Sequence, residues 1–259
     1  MQVESVALAT ELALAVTRGR VVDRGDCIVV ETPDQPRRGS TNRLVLAEPP
    51  RADDIARWTK RFADELPARE HVALSWAGEL GPSAELRAAG FELLVLQALA
   101  AHELAAATHV ALELRELRVD ELPAVGALGF AAGDHHDERA RLALQERAAW
   151  HAGLVARGTA HFWGAFDGAA LVADVGLVEL GTLARFQDVQ TAPSHRRRGL
   201  AGALLATAAR PAIGRGVDQL VILAEADSPA IRVYERVGFR PIERINTARI
   251  VRGATGLSG

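Results

Sequence analysis

The chain has 259 residues, 49% hydrophobic and 24% charged, with a net charge of −3. That length suits one large domain or two small ones, and that composition predicts packed cores rather than disorder. The near-neutral balance speaks against a generic nucleic-acid binder, and the single cysteine, Cys27, excludes an intramolecular disulfide.

No segment approaches the roughly eighteen uninterrupted apolar residues of a membrane span. Residues 6–16 are apolar, but Glu11 interrupts them and no basic region precedes them, so they do not read as a secretory signal. The expectation is a soluble, cytoplasmic protein.

In chain order, residues 27–31 and 44–46 read as strands, the first carrying Cys27 as inert packing. Between them, 33–42 holds two prolines, a glycine and small polar residues, and reads as a mobile loop. A helix is predicted over 52–66, a strand over 71–75, a helix over 83–89 and a strand over 92–96. Later, 110–117 reads as a strand, followed by helical sequence over 119–131 and 138–157. Strands at 161–166 and 169–178 flank Asp167-Gly168, a hairpin turn signal. A strand covers 183–191, a helix 200–213, a strand 220–225, a helix 229–237 and a strand 240–250. Asp227 or Ser228 is the expected N-cap of that last helix and Gly238 its C-cap. Gly90-Phe91-Glu92 echoes Gly238-Phe239-Arg240, each after a short helix. This predicts a duplicated α/β fold, divided into 1–107 and 108–259. Trp58, Trp76, Trp150 and Trp163 are expected as core or pocket walls.

The stretch that carries chemistry runs from Gln187-Asp188-Val189-Gln190-Thr191 into His195-Arg196-Arg197-Arg198-Gly199-Leu200-Ala201-Gly202. A strand here enters a basic, glycine-bearing turn and then an Ala/Leu-rich helix. Free N–H groups at a helix N-terminus, the helix dipole and close backbone approach at glycine together suit a pyrophosphate. A solvated basic patch is the bland alternative, and glycines 199 and 202 also permit close helix–sheet packing. No Gly-Lys-Ser/Thr follows, which excludes a Walker-type loop.

Arg196-x-x-Gly199-x-Ala201 after a strand, with Tyr234 and Gly238-Phe239 beyond, resembles the GNAT family of N-acetyltransferases. The resemblance covers about the last 150 residues, the size of one domain. It implies a mixed α+β sheet splayed around acetyl-CoA, here in two GNAT-like lobes. The resemblance places the backbone of Val189, Gln190 and Thr191 against the pantetheine arm. Arg196 opens the signature, and Arg197, Arg198, Gly199, Leu200, Ala201 and Gly202 would hold the pyrophosphate. Asp227 stands where the family usually has Asn near the cofactor arm, with Ala230 beside it. An ionised Asp accepts hydrogen bonds but cannot donate them.

The implied reaction is acetyl transfer to a primary amine of a small molecule or peptide. A deprotonated amine attacks the thioester, and a backbone N–H of the Val189 strand stabilises the oxyanion. Tyr234, the only tyrosine, is the candidate proton donor to the leaving thiolate. The base stays unassigned: Asp188, Glu179, Asp134, His135, His136 and Asp137 are candidates, and a water chain could serve instead. No metal is expected, since His135-His136 lacks partners at metal spacing. Neither nucleic acid nor membrane is an expected partner, and exposed sheet edges leave a homodimer open. The rival reading is a non-catalytic acyl-CoA-binding sensor or interaction module.

In the first half, Leu86 aligns with Tyr234, and Pro49-Pro50-Arg51-Ala52-Asp53-Asp54 enters the helix without a glycine-bearing basic turn. Asp53 and Asp54 would cap that helix and repel a pyrophosphate. One cofactor per chain follows, with the first half a degenerate copy that shapes the substrate groove.

Overall fold

The computed structural model describes residues 1, 3–33, 35, 41–67, 69–106, 109–133 and 136–251. Most of the loop expected at 33–42 lies outside these residues, as do Asp134 and His135.

Helix α1 (Val6–Val16) is capped by Ser5, whose Oγ accepts from the Leu8 N–H. Its Ala7 and Leu8 are buried against Ile28, Val30 and Val45. Sequence reading saw only an apolar run here. Strand β1 (Arg20–Asp23) turns at Gly25 into β2 (Cys27–Glu31), and β3 is Arg43–Leu46. Helix α2 (Ile55–Glu65) buries Ile55, Trp58 and Phe62, an i, i+3, i+7 stripe. It starts later than expected, and its N-cap Asp54 makes no side-chain bond to the helix. The Asp54 carboxylate accepts instead from the Arg51 N–H, which tightens the preceding turn and corrects the predicted cap.

The chain continues through β4 (His71–Ala77), α3 (Ser83–Ala88), β5 (Glu92–Ala101) and β6 (Glu113–Glu116). A 3₁₀ turn leads into α4 (Leu122–Ala132), followed by α5 (Glu138–Ala156). Asp137 caps α5 by accepting from the Ala140 N–H at 2.7 Å. Strands β7 (Ala160–Asp167) and β8 (Ala170–Leu180) form the expected hairpin, with Gly168 at φ +60°. Then come β9 (Leu183–Thr191), α6 (Leu200–Gly214), β10 (Gln219–Glu225), α7 (Ala230–Val237) and β11 (Arg240–Val251). The N-cap of α7 is Pro229 rather than Asp227 or Ser228, and proline offers no side-chain acceptor.

The described residues group into two compact units. One comprises those of Met1–Ala98, Leu223–Ser228 and Ile242–Gly259, and the other those of Leu99–Ile222 and Pro229–Pro241. Compactness therefore does not follow a single cut of the chain, such as the expected one between 1–107 and 108–259.

In the first unit, β2 pairs antiparallel with β1 and β3, β3 runs parallel to β4, and β4 pairs antiparallel with β11. Its core packs Trp58, Phe62, Trp76, Leu86 and Phe91 against β3 and β4. Each such side chain stabilises by about 1.5–3 kcal/mol when removed from water. In the second unit, β6, β7, β8 and β9 pair antiparallel in sequence order. Strand β10 runs parallel to β9 over Gln219–Val221 against Leu183–Arg185, while β9 itself continues to Thr191. Each unit thus holds a mixed sheet with helices on it. Among the described residues, no helix is long and apolar enough to cross a membrane.

Candidate active site

The far half of β9 is bent by a bulge. The β8–β9 register passes from Gly176↔Gln187 to Asp174↔Gln190, so Asp188 and Val189 together oppose one residue of β8. A bulge of this kind interrupts the ladder and re-aims the strand. Asp188 sits at φ +47°, a left-handed conformation that side chains seldom adopt.

Side chains anchor that strained position. The Asp188 carboxylate pairs with Arg147 at 2.5 Å and with His151 Nδ1 at 3.1 Å. Arg147 and His151 lie four residues apart on α5, one turn along the same face. The His151 ring is fully buried between Trp150 and Phe162, with centroids 4.5 and 4.6 Å away.

Below the bulge lies Asp174 on β8, fully buried. Burial pushes its carboxyl well above the usual carboxylate range, and the nearby Asp188 charge pushes the same way. The Gln190 Nε2 donates to Asp174 Oδ1 at 3.3 Å and, with Arg147, opposes that shift. Sequence reading missed Asp174, Arg147 and His151. The available signals were a lone acid in the apolar run 171–178 and the i, i+4 Arg/His spacing on a helix.

Beyond β9, a 3₁₀ turn at Pro193–His195 leads into the basic turn. Arg197 has φ +63° and Gly199 φ +78°, and Gly199 is the N-cap of α6. Alternation into left-handed conformations turns successive N–H groups toward one side, the geometry of an anion nest. No acidic residue stands in the first turn of α6, and a Cβ placed on Gly199 would meet no atom within 4 Å.

The three arginines differ. Arg196 donates through Nη2 to the Ala132 carbonyl at 2.9 Å and through Nε to the Thr191 carbonyl at 3.2 Å, so it straps the end of α4 to the end of β9. Arg198 donates to the Ser194 carbonyl. The exposed Arg197 guanidinium makes no hydrogen bond or ion pair among the described residues. His195 is fixed between Ser194 Oγ at 2.9 Å and Asp167 Oδ2 at 3.1 Å. Leu200 points into the core, and a Cβ on Gly202 would approach Val237 to 3.0 Å, so that glycine admits α7 against α6.

Tyr234 on α7 is 5% exposed and lies edge-on to Phe239, itself edge-on to Phe186 of β9. Burial pushes its phenol up to about 12. Ala230 opens α7, while Asp227 is exposed and groups with the first unit. Of the base candidates, Asp137 is the α5 cap, His136 is exposed with its ring on Phe130, and Glu179 pairs with Arg215 at 2.5 Å. Among the described residues, no group of three or more His, Cys, Asp or Glu could hold a metal.

The fold as a whole has counterparts among solved structures. The chain is similar to a GCN5-related N-acetyltransferase from Kribbella flavida at 17% identity and TM-score 0.69, over 95% of this chain and 96% of that one. The chain has the GNAT fold. A tandem GNAT protein from the clavulanic acid biosynthesis pathway matches at 16% identity and TM-score 0.55, over 88% of this chain and 74% of the other. A functionally unknown conserved protein from Staphylococcus epidermidis shares the fold at 14% identity and TM-score 0.75, over 90% and 94% of the two chains. Residues 164–250, which include the bulge and the basic turn, match the FR47-like protein family. No curated protein matches the sequence.

Proposed function

We propose that the second unit is an acyl-CoA-dependent N-acyltransferase, moving an acetyl group from acetyl-CoA to a primary amine of a small molecule or peptide with both substrates bound. One observation carries this reading. The left-handed turn at Arg197 and Gly199 opens a 15-residue helix with no acid in its first turn, directly after a bulged strand. Main-chain N–H groups and the helix dipole there favour a pyrophosphate.

The residues present fit that group. The space over Gly199 is open, and the free Arg197 guanidinium is the side chain to meet a phosphate. Arg196 and Arg198 hold the loop through bonds to carbonyls, and each keeps further N–H donors that could also face a phosphate. Residues 189–191 offer the backbone edge for the pantetheine arm. Acetyl-CoA, when bound, supplies the activated thioester.

Tyr234 keeps its proton throughout the neutral range. With its phenol at about 12 against roughly 8.5 for a thiol, it serves the leaving sulfur as a hydrogen-bond donor more readily than by complete transfer. Asp188 is a positioning residue for the bulge. The first half acts as a scaffold that takes no cofactor, no metal is required, and neither nucleic acid nor membrane is a partner.

The rival reading, a non-catalytic acyl-CoA sensor, draws on the same burial of Tyr234, which makes it a weaker acid. An amine panel with detection of released thiol, run beside acetyl-CoA calorimetry, separates the two. Amine-dependent thiol release that disappears in Arg198→Glu/Gly199→Glu supports the transferase. Tight binding without release supports the sensor, and absence of binding in the wild type defeats both.

A further inference from the structure

The first unit carries an open groove of about 590 Å³ between α2 and α3. Its floor is apolar: Ile55, Val72 and Phe91 are 7%, 0% and 4% exposed, and Ile250 completes it. The volume falls within the ~300–1,000 Å³ typical of small-molecule sites.

The rim decides what can enter. Asp53 beside α2 and Glu85 on α3 both line the groove, and both are exposed. Neither carboxylate has an ion pair or hydrogen bond among the described residues. The neighbouring Asp54 is already engaged with the Arg51 N–H and with Arg57. Lys60 also lines the groove, but its ammonium pairs with Asp64 at 2.7 Å. Two unmet negative charges therefore stand over an apolar floor. The positive end of α2 opposes a cation with about half a charge, which two full carboxylates outweigh.

We propose that this groove binds a small amphiphilic cation, an aliphatic chain ending in an ammonium group. The chain lies on Ile55, Phe91 and Ile250, above the fully buried Val72, and the ammonium meets Asp53 and Glu85. The assignment is independent of the acyltransferase reading, which concerns the second unit.

Calorimetry on the full chain with n-octylammonium, n-octanol and n-octanoate tests it, because the tail is constant and only the head changes. The expected order of affinity is ammonium, then alcohol, then carboxylate, with the ammonium's advantage shrinking as salt rises. Asp53→Asn/Glu85→Gln should cost octylammonium about tenfold, the combined strength of two exposed ion pairs, and leave octanol unchanged. Ala56→Trp fills the groove from an exposed helix position and should abolish binding of all three. Ala89→Leu serves the same purpose from the opposite wall if circular dichroism shows Ala56→Trp to be unfolded. The proposal is overturned if octanoate binds as tightly as octylammonium, if no ammonium binding occurs at millimolar concentration, or if either folded groove-filling variant still binds it.

Discussion

Two short helices in this chain end alike, yet the helices that precede them begin differently. After α3, Gly90 sits at φ +87° and the Phe91 N–H donates to the Leu86 carbonyl at 2.9 Å. After α7, Gly238 sits at φ +120° and the Phe239 N–H donates to the Tyr234 carbonyl at 3.1 Å. Both exits satisfy orphan carbonyls through a glycine cap, a demand of the backbone that is indifferent to function. The entrances diverge. Helix α2 is entered through Asp53 and Asp54, with Asp54 at φ −108°, and α6 through left-handed Arg197 and Gly199. On the proposed function, the chemistry lies where the chain enters these helices, and the shared folding constraint where it leaves them.

The sharpest way to break this comparison is to remove its entrance. Gly199→Glu forces a side chain into a conformation costing about 1–2 kcal/mol and puts a carboxylate where an anion should sit. Acetyl-CoA affinity should fall about 100-fold or more by calorimetry. Wild type should titrate with one site per chain, and two equivalent sites would show that the acidic entrance also binds.

Asp188→Asn should follow in size. It strips the partner from Arg147 and the buried His151, and loss of one member of such a network costs about 3 kcal/mol of stability in urea unfolding. An unchanged midpoint would mean that the bulge holds itself.

Tyr234→Phe tests the residue that distinguishes the two exits. The ring contacts survive, so stability should move by less than about 1 kcal/mol and acetyl-CoA should bind as before. Turnover on an accepted amine should drop about 10- to 100-fold. Equal rates would remove the phenol from the reaction.

The smallest effect concerns pH. Because the Asp174 carboxyl is raised in the folded state, its contribution to stability is complete below its usual value of 3.8 and is lost as pH climbs toward the raised value. Asp174→Asn abolishes that loss. The variant should gain in melting temperature over wild type as pH rises from 5 to 8, and a gap independent of pH would show that Asp174 titrates normally.

The sequence alone determined the elements with local signals. Strands 27–31 and 183–191, the Asp167-Gly168 hairpin and the glycine exits matched because periodicity and turn chemistry act over a few residues. The candidate anion turn was legible for the same reason, as consecutive residues 196–202. Tertiary structure alone brought Asp174, Asp188, Gln190, Arg147 and His151 together, from two strands and a helix whose register no local pattern encodes. It also tied the guanidiniums of Arg196 and Arg198 to carbonyls, left Arg197 without a hydrogen bond or ion pair among the described residues, and buried Tyr234. Side-chain identity fixes what a group can do, but burial and neighbours, which exist only after packing, decide which groups retain a charge or a donor to use.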